Sequence, residues 1–517
     1  MGIDRKPRTA EPPSKTHERK TAHGPGAAGE RGTSGERGTS GERGTSGERG
    51  TSGERGPQVL AFVAALVIGS AGISIPSLWR DEAATVSATH HSLPELWRLL
   101  GHADAVHGAY YLLLHPFVTL FGSGAAILRL PSALAVAFAA AGVAWLGQRL
   151  DGRRTGVLAG SAYALTPMVS RYAQEARPYA LVSALAVLST CLLVKLTERA
   201  SARRFTAYGA TLALLGAFNI LGLLILTAHG VLVLRRHRSL ARGWTAAVLA
   251  AAVALAPLLW LASRQRDQVA WLAKPSPGEI WVLLSGLAGS SLLLAPVAAA
   301  AGYGLWQARD LRALLLSWLL LPPLLLMAVS LVTPLYTFRY VLFCLPAASL
   351  AAGAGLARLT PPWRTVAGLV LVALAVPGHV QLRQQDSRID DLSAMDSILR
   401  VNARPGDGLL FACGADRRVI APFPSTYRRL TDVAFLESAA DAGTMAGRSV
   451  TDPEAAARLG RIDRVWVLGL GEGTPCRDDK AAVLRAAGGF GAPGNAGRWR
   501  FRGGSLLLTS RVEASAG

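Results

Sequence analysis

Charge and cysteine are both scarce in this sequence. Only 17% of its 517 residues are charged, whereas half are hydrophobic. A chain so poor in charge cannot cover itself with a solvated surface, which excludes an ordinary water-soluble enzyme of this length. There are four cysteines, with no Cys-x-x-Cys pair and no Cys/His zinc spacing, so zinc ribbons and thioredoxin-like redox motifs are excluded. The last 135 or so residues contain no complete GxGxxG or Walker pattern, so no nucleotide cofactor is expected there. No signal-peptidase pattern precedes the first apolar run near residue 58, and that run is expected to remain as an anchor.

What is present is a series of apolar runs that reach or exceed the roughly 18 residues of a membrane helix. The expected class is a polytopic α-helical membrane protein. The formal net charge of +20 would suit nucleic acid, but the Lys and Arg residues cluster in short segments between apolar runs. That is the positive-inside bias of a membrane protein, and no nucleic-acid partner is expected.

Residues 1–57 repeat Gly-Glu-Arg-Gly with a period of six, at Glu30, Glu36, Glu42, Glu48 and Glu54. Each repeat carries one acid, one base and nothing apolar, so the segment is read as a disordered cytoplasmic tail. The transmembrane part is 58–380. Its first span is read as 58–78, and an outer juxtamembrane loop covers 79–122. Residues 110–121 are too short to cross. If they did cross, the basic loops at Arg149–Arg154 and Lys195–Arg204 would fall outside, against the positive-inside rule. Further spans are expected near 127–148, 156–171, 178–195, 205–220, 222–234, 244–262, 282–305, 312–332, 339–357 and 365–380, about eleven in all. An odd number puts residues 381–517 outside, opposite the N-terminus.

That last part reads as a small extracytoplasmic α/β domain. A helix is expected at Asp390–Val401, with buried strands at Gly408–Cys413, Arg464–Gly469 and Ser505–Ser510. In an oxidising compartment Cys413 and Cys476 are expected to pair. The closed loop would be worth about 4 kcal/mol in the chain-entropy account.

Three polar clusters fall on the outer face. One is Asp81 and Glu82 with Asp104 and His107, the second spans Arg171 to Tyr179, and the third is Thr337-Phe-Arg339-Tyr340. Acids, a histidine and arginines at one membrane edge are costly unless they face water, a metal or a substrate. His90, His91 and His102 are read as exposed loop residues and Tyr111 as an interface aromatic.

Five motifs occur in order: Trp79-x-Asp-Glu-Ala, Asp104-x-x-His107-x-x-Tyr-Tyr, Phe121-Gly through Leu128-Arg-Leu-Pro-Ser132, Gln174-Glu-Ala-Arg-Pro-Tyr179 and Arg339-Tyr340. Together they resemble the GT-C superfamily of polyprenyl-phosphate-dependent glycosyltransferases. The nearest branch is bacterial mannosyltransferase-like, related to protein O-mannosyltransferases and aminoarabinose transferases. The resemblance covers residues 58 to about 360. It implies an aspartate in the first outer loop, a lipid-phosphate sugar donor and, in some members, a divalent metal. Two positions depart from it: His107-Gly-Ala replaces His-Pro-Pro-Leu, and Asn219 stands where many relatives have a histidine.

The resulting expectation is an integral membrane glycosyltransferase that moves a hexose, mannose by resemblance, to an extracytoplasmic glycan, lipid or protein acceptor. A sugar on polyprenyl phosphate leaves as an anion, so its leaving group needs positive charge rather than a protonating acid. Asp81, Glu82 and Glu175 are the expected catalytic carboxylates, with Asp81 as the base. Arg177, Tyr179, Arg339, Tyr340 and Tyr110 are expected around the substrate, and Asp104 with His107 as metal ligands. One base acting on one face predicts inversion. The rival readings are a transporter or flippase of lipid-linked sugars, which needs polar residues along a path through the bilayer, and a non-enzymatic envelope-assembly protein.

Overall fold

The computed structural model describes residues 49–265, 272–471 and 480–512. Most of the repeat-bearing tail and Cys476 therefore lie outside the described residues. Helix α1 (Arg49–Ser70) is followed by three short helices before the next long one: α2 (Arg80–Thr89), α3 (Leu93–His102) and α4 (Gly108–Phe121). Next come α5 (Ala125–Asp151), α6 (Arg153–Leu165), α7 (Pro167–Ala173), α8 (Tyr179–Glu198), α9 (Ala202–Phe218), α10 (Leu226–Arg236) and α11 (Ala241–Arg264). The helical part closes with α12 (Gly278–Ala288), α13 (Ser291–Gln307), α14 (Arg309–Ser330), α15 (Leu345–Arg358) and α16 (Pro361–Leu382).

Among the described residues six helices are long and apolar enough to cross a membrane, or seven if the pair α12–α13 is one span. Helical segments occupy all eleven expected positions, but α6, α9 and α10 are short, so the count of eleven is not reached by length and composition. The expected span 282–305 is broken, with α12 and α13 meeting at 71°. Gly289, at φ +100°, makes that turn, where a Cβ would lie 2.8 Å from Thr166 Cγ2. The expected span 58–78 also ends early, at Ser70. Its last carbonyls are taken by side chains from elsewhere: Gln174 Nε2 donates to the oxygens of Gly69 (3.0 Å) and Ala71 (2.7 Å), and Arg383 Nε donates to Ala71 O (2.9 Å). A cation there also complements the negative end of the helix.

Small residues hold the bundle together. A Cβ on Gly355 of α15 would stand 1.9 Å from the Ala300 oxygen of α13, and one on Gly353 would stand 2.5 Å from Ala159 N of α6. In an apolar solvent, close backbone approach of this kind replaces the hydrophobic driving force between helices. The large apolar side chains of α11 and α16 instead point outward, for example Val253, Leu249, Trp363 and Leu369.

After α16 the chain forms α17 (Leu392–Asn402), capped by Asp391, whose side chain accepts from Ala394 N. The strands are β1 (Gly408–Phe411), β2 (Thr431–Asp432), β3 (Phe435–Glu437), β4 (Arg448–Ser449), β5 (Arg464–Leu470), β6 (Gly497–Phe501) and β7 (Gly504–Ser510). Five form one sheet in the order β2-β1-β5-β7-β6, parallel between β2, β1 and β5 and antiparallel through β7 and β6. Trp466, Leu468, Leu506 and Leu508 pack on Leu392, Met395 and Leu399 of α17 from one face. Val465 and Val467 pack on Ala455, Leu459, Val483 and Leu484 from the other. Burial on both faces explains why the strands at 408, 464 and 505 are unbroken apolar runs. Strand β6 (Gly-Arg-Trp-Arg-Phe) alternates and lies at the sheet edge. Cys413 is disulfide-bonded, while Cys191 and Cys344 are free.

Candidate active site

Helix α2 sits where the two parts meet, and its first four residues reach four different partners. Arg80 pairs with Asp390 of the C-terminal part at 2.6 Å. Asp81 pairs with Arg339, just ahead of α15, at 3.0 Å. Glu82 pairs with Arg129 of α5 at 2.7 Å, and Ala83 enters the apolar core under the C-terminal sheet. The reason is the helical step of about 100° per residue, which turns successive side chains to different faces.

The Glu82–Arg129 pair is closed. Both side chains are fully buried. Arg129 Nε and Nη2 donate to the two carboxylate oxygens (2.8 and 2.7 Å), Nη1 to Ile73 O and Pro76 O (both 2.8 Å), and Nη2 also to Ser77 O (3.1 Å). A guanidinium has five N–H donors, and all five are used. Glu82 Oε1 also accepts the Ala176 N–H at 2.8 Å. Burial alone would push the Glu82 carboxyl up, but Arg129 more than offsets it and holds it below the usual range. The expectation that Glu82 shares the chemistry with Asp81 is corrected here: it has no solvent access, Arg129 engages both of its carboxylate oxygens, and it ties α2, α5 and the 73–77 segment together.

The Asp81–Arg339 pair is open. The two side chains keep 23% and 16% of their exposure. The Arg339 guanidinium lies 5.8 Å from the Trp79 ring centre, 5.9 Å from Tyr340 and 6.0 Å from Tyr179. Three rings at cation–π distance surround the guanidinium beside its carboxylate contact. Trp79 was visible as part of a motif, but only the fold shows it as a wall of this cluster.

A second arginine arrives on the 174–178 turn between α7 and α8. The backbone of this turn is held at each step. Ser132 Oγ donates to Glu175 O at 2.7 Å, Arg388 Nη2 to Gln174 O at 2.9 Å and Thr85 Oγ1 to Ala176 O at 3.2 Å. Arg177 then lies against His107, with Nη2 donating to His107 Nε2 at 2.8 Å. Arginine always donates, so His107 Nε2 is the bare nitrogen, and Nδ1–H donates to Asp104 Oδ1 at 2.6 Å. The Tyr111 hydroxyl donates to Asp104 Oδ2. Burial works against the Asp104 charge, but His107, Arg177 and Tyr111 together hold its carboxyl well below the usual range. Asp104 itself has φ +58°, a left-handed backbone that a non-glycine residue adopts only where its surroundings enforce it.

This chain of contacts does not fit a metal centre. Both His107 nitrogens are engaged, one by a guanidinium, and no group of three or more His, Cys, Asp or Glu side chains converges among the described residues. The expected ligand pair Asp104 and His107 instead aims Arg177. Tyr111 is corrected too: it is fully buried and serves Asp104. His91 is likewise buried, its Nδ1 donating to Ser87 O at 2.7 Å, whereas His90 and His102 are exposed as expected. Asn219 breaks the helix between α9 and α10, its side chain accepting from Leu221 N at 3.0 Å.

Glu175 is 1% exposed, and neither carboxylate oxygen has a hydrogen-bond partner. Its nearest cation is Arg171, at 3.6 Å. Burial pushes its carboxyl up from the ordinary value, and Arg171 and Arg388 offset this only in part. Tyr110 is fully buried beside Ser132 and Arg177 and so lines the back of the cluster rather than its mouth.

No protein-family profile matches the chain, and no curated protein matches it. Solved structures do. The chain superposes on ArnT from Cupriavidus metallidurans in the apo state with a TM-score of 0.60 at 15% identity, covering 87% of this chain and 97% of that one. ArnT bound to undecaprenyl phosphate gives 0.60 at 14% identity, covering 89% and 99%. The oligosaccharyltransferase AglB from Archaeoglobus fulgidus gives 0.49 at 11% identity, covering 79% and 69%. At such identities the likeness is one of fold. The chain has the fold of ArnT along almost its whole length.

Proposed function

We propose that this chain is an integral membrane glycosyltransferase that transfers a sugar from a polyprenyl-phosphate donor to an extracytoplasmic acceptor. The sugar is a hexose, with mannose the first candidate from the motif resemblance. The observation that carries the reading is the open Asp81–Arg339 pair, walled by Trp79, Tyr179 and Tyr340, with Arg177 aimed at the same end of the molecule. ArnT, which shares the fold, has been crystallised with a polyprenyl phosphate, and that supports a lipid-phosphate donor here.

The chemistry follows from the charges. Without donor, Arg339 neutralises Asp81. A donor phosphate competes for the guanidinium, since arginine binds phosphate by the same planar fork. Asp81 is then released as a free carboxylate beside the reacting centre. It takes the proton of the acceptor hydroxyl while that oxygen bonds to the anomeric carbon and the bond from carbon to phosphate oxygen breaks. The phosphate gains one negative charge in this step, and Arg339 and Arg177 stabilise it. Attack from the face opposite the leaving phosphate inverts the anomeric centre. His107 and Asp104 keep Arg177 in place throughout.

The flippase reading needs polar groups along the bilayer path. Here the charged side chains of the cluster come from the ends of α2, α7 and α8 and from the segment before α15, not from the middle of spans. With the basic loops cytoplasmic, this cluster and residues 381–517 lie outside. The test is transfer by the purified protein from polyprenyl-phosphate mannose and from its glucose counterpart, with the product anomer assigned by NMR. Transfer with inversion that is unaffected by chelator is the expected result. No transfer from either donor, together with movement of lipid-linked sugar across vesicles, would replace this reading with the transporter.

A further inference from the structure

We propose that Asp390 is a positioning residue: the C-terminal part caps and holds the N-terminus of α2 through this side chain, and thereby sets Asp81 against Arg339. The inference rests on the reading of Asp81 as the base, but the geometry behind it does not.

The N-terminus of a helix leaves backbone N–H groups without intrahelical partners. In α2 the residue at the cap position is Trp79, whose side chain accepts no hydrogen bond. An acceptor comes instead from 310 residues away: Asp390 Oδ2 takes the Arg80 backbone N–H at 3.1 Å. The same carboxylate takes Arg80 Nε on Oδ2 at 2.8 Å and Nη2 on Oδ1 at 2.6 Å. Asp390 is fully buried. One side chain therefore supplies the cap, a negative charge at the positive end of the helix and a two-pronged ion pair.

The segment before α2 is tied to the same region. Ser77 N donates to Gln385 O at 2.9 Å, Ser393 N donates to Ser77 Oγ at 2.9 Å and Leu392 N donates to Leu78 O at 3.3 Å. A second observation shows that Asp390 is itself held in place. The turn between β6 and β7 presses on it: Arg502 O accepts the Asp391 N–H at 2.8 Å. Gly503, at φ +84°, leaves room where a Cβ would stand 2.3 Å from Asp390 Oδ1 and 2.7 Å from Ile389 O. No larger residue fits there without moving the carboxylate. The sheet thus fixes Asp390, Asp390 fixes Arg80, and the next residue is Asp81. The carboxylate of Asp81 needs this because its other contact, Arg339, is surrendered to the donor phosphate.

The experiment compares full-length parent, Asp390→Ala, Asp390→Asn and Gly503→Ala. It reads kcat, the KM for polyprenyl-phosphate mannose and amide hydrogen exchange of the peptide covering residues 79–86. Misplacing a reacting group by about 1 Å can cost about 100-fold, and a smaller shift about tenfold or more. Asp390→Ala and Gly503→Ala are expected to lower kcat by about 10- to 100-fold with donor KM nearly unchanged, and to speed exchange in α2. Asparagine caps a helix about as well as aspartate, so Asp390→Asn is expected to recover most of the loss, a rescue that a purely structural ion pair would not give. Unchanged α2 exchange in Asp390→Ala, or an unchanged kcat, overturns the proposal. Should Asp390→Ala not insert, Gly503→Ala decides alone by the same criteria. Asp81→Asn is run alongside: if it transfers at the parent rate while Asp390→Ala still loosens α2, the base assignment fails and the capping of α2 stands.

Discussion

Asp81 and Glu82 are neighbours in sequence, each faces an arginine, and the two ion pairs are built for different ends. Around Glu82 every donor of Arg129 is spent on a carboxylate oxygen or a backbone carbonyl, and nothing is exposed. Around Asp81 the arginine lies against ring faces and on the Asp81 carboxylate, and both side chains keep some exposure. A saturated pair cannot exchange partners without leaving buried charge behind. A pair held by aromatic rings can pass its cation to an incoming anion, because a ring quadrupole does not compete for the same hydrogens. Composition treats the two acids alike and the motif resemblance favours Asp81 as the base; hydrogen-bond saturation supplies the physical difference.

The comparison is broken most sharply at Asp81. Asp81→Asn keeps the size and removes the proton-accepting charge, so transfer should fall by about 10² to 10⁴ with the melting temperature close to that of the parent. A near-parent rate of sugar transfer in correctly inserted protein would show that the open pair is not catalytic. At the closed pair the loss is in stability. Arg129→Met leaves the buried Glu82 without its countercharge and strips three carbonyls, which should cost about 3 to 5 kcal/mol. The double variant Glu82→Leu/Arg129→Met should lose clearly less, as read from unfolding in detergent. If single and double variants are equally destabilised, the pair is not the closed unit described.

Next in size is Arg339→Ala, which should raise the donor KM by about tenfold or more, the worth of a charge-assisted contact. Arg339→Lys should restore it only in part, because lysine lacks the planar fork. Donor titration of the two variants checks this, and equal KM values would place the phosphate elsewhere. The smallest effect is at Asp104. Its carboxyl is held below the usual range in the folded protein. The stability it contributes is therefore fully present above its ordinary value of about 4 and is lost as pH falls through the lower folded value. Asp104→Asn should flatten the decline in melting temperature between about pH 5 and pH 3. A decline as steep as that of the parent would mean that other carboxylates carry it.

Much of the site was legible before folding, and for a physical reason. Asp81, Arg177, Arg339, Tyr179 and Tyr340 are polar or amphipathic groups at the ends of apolar runs, where their cost demands an explanation. Asp104 and His107 were legible as a pair, but their role was not. Two residues three apart on one helical turn can ligate a metal or orient a side chain, and only the approach of Arg177 from a turn 70 residues away decides between them. Asp390 left no local signal at all. It follows a membrane helix like many soluble acids, and its partner is 310 residues distant.

The sequence by itself determined the class of this protein. Runs of apolar residues long enough for a bilayer, basic segments between them and three apolar strands near the C-terminus follow from short-range composition and period, which need no partner to be read. Only the tertiary structure decided which acid is open, which arginine is ringed by aromatic side chains and which distant carboxylate caps the helix that carries Asp81. Those properties depend on which donors meet which acceptors across the chain. Hydrogen-bond saturation and burial are sums over neighbours in space, and neighbours in sequence such as Asp81 and Glu82 do not share them.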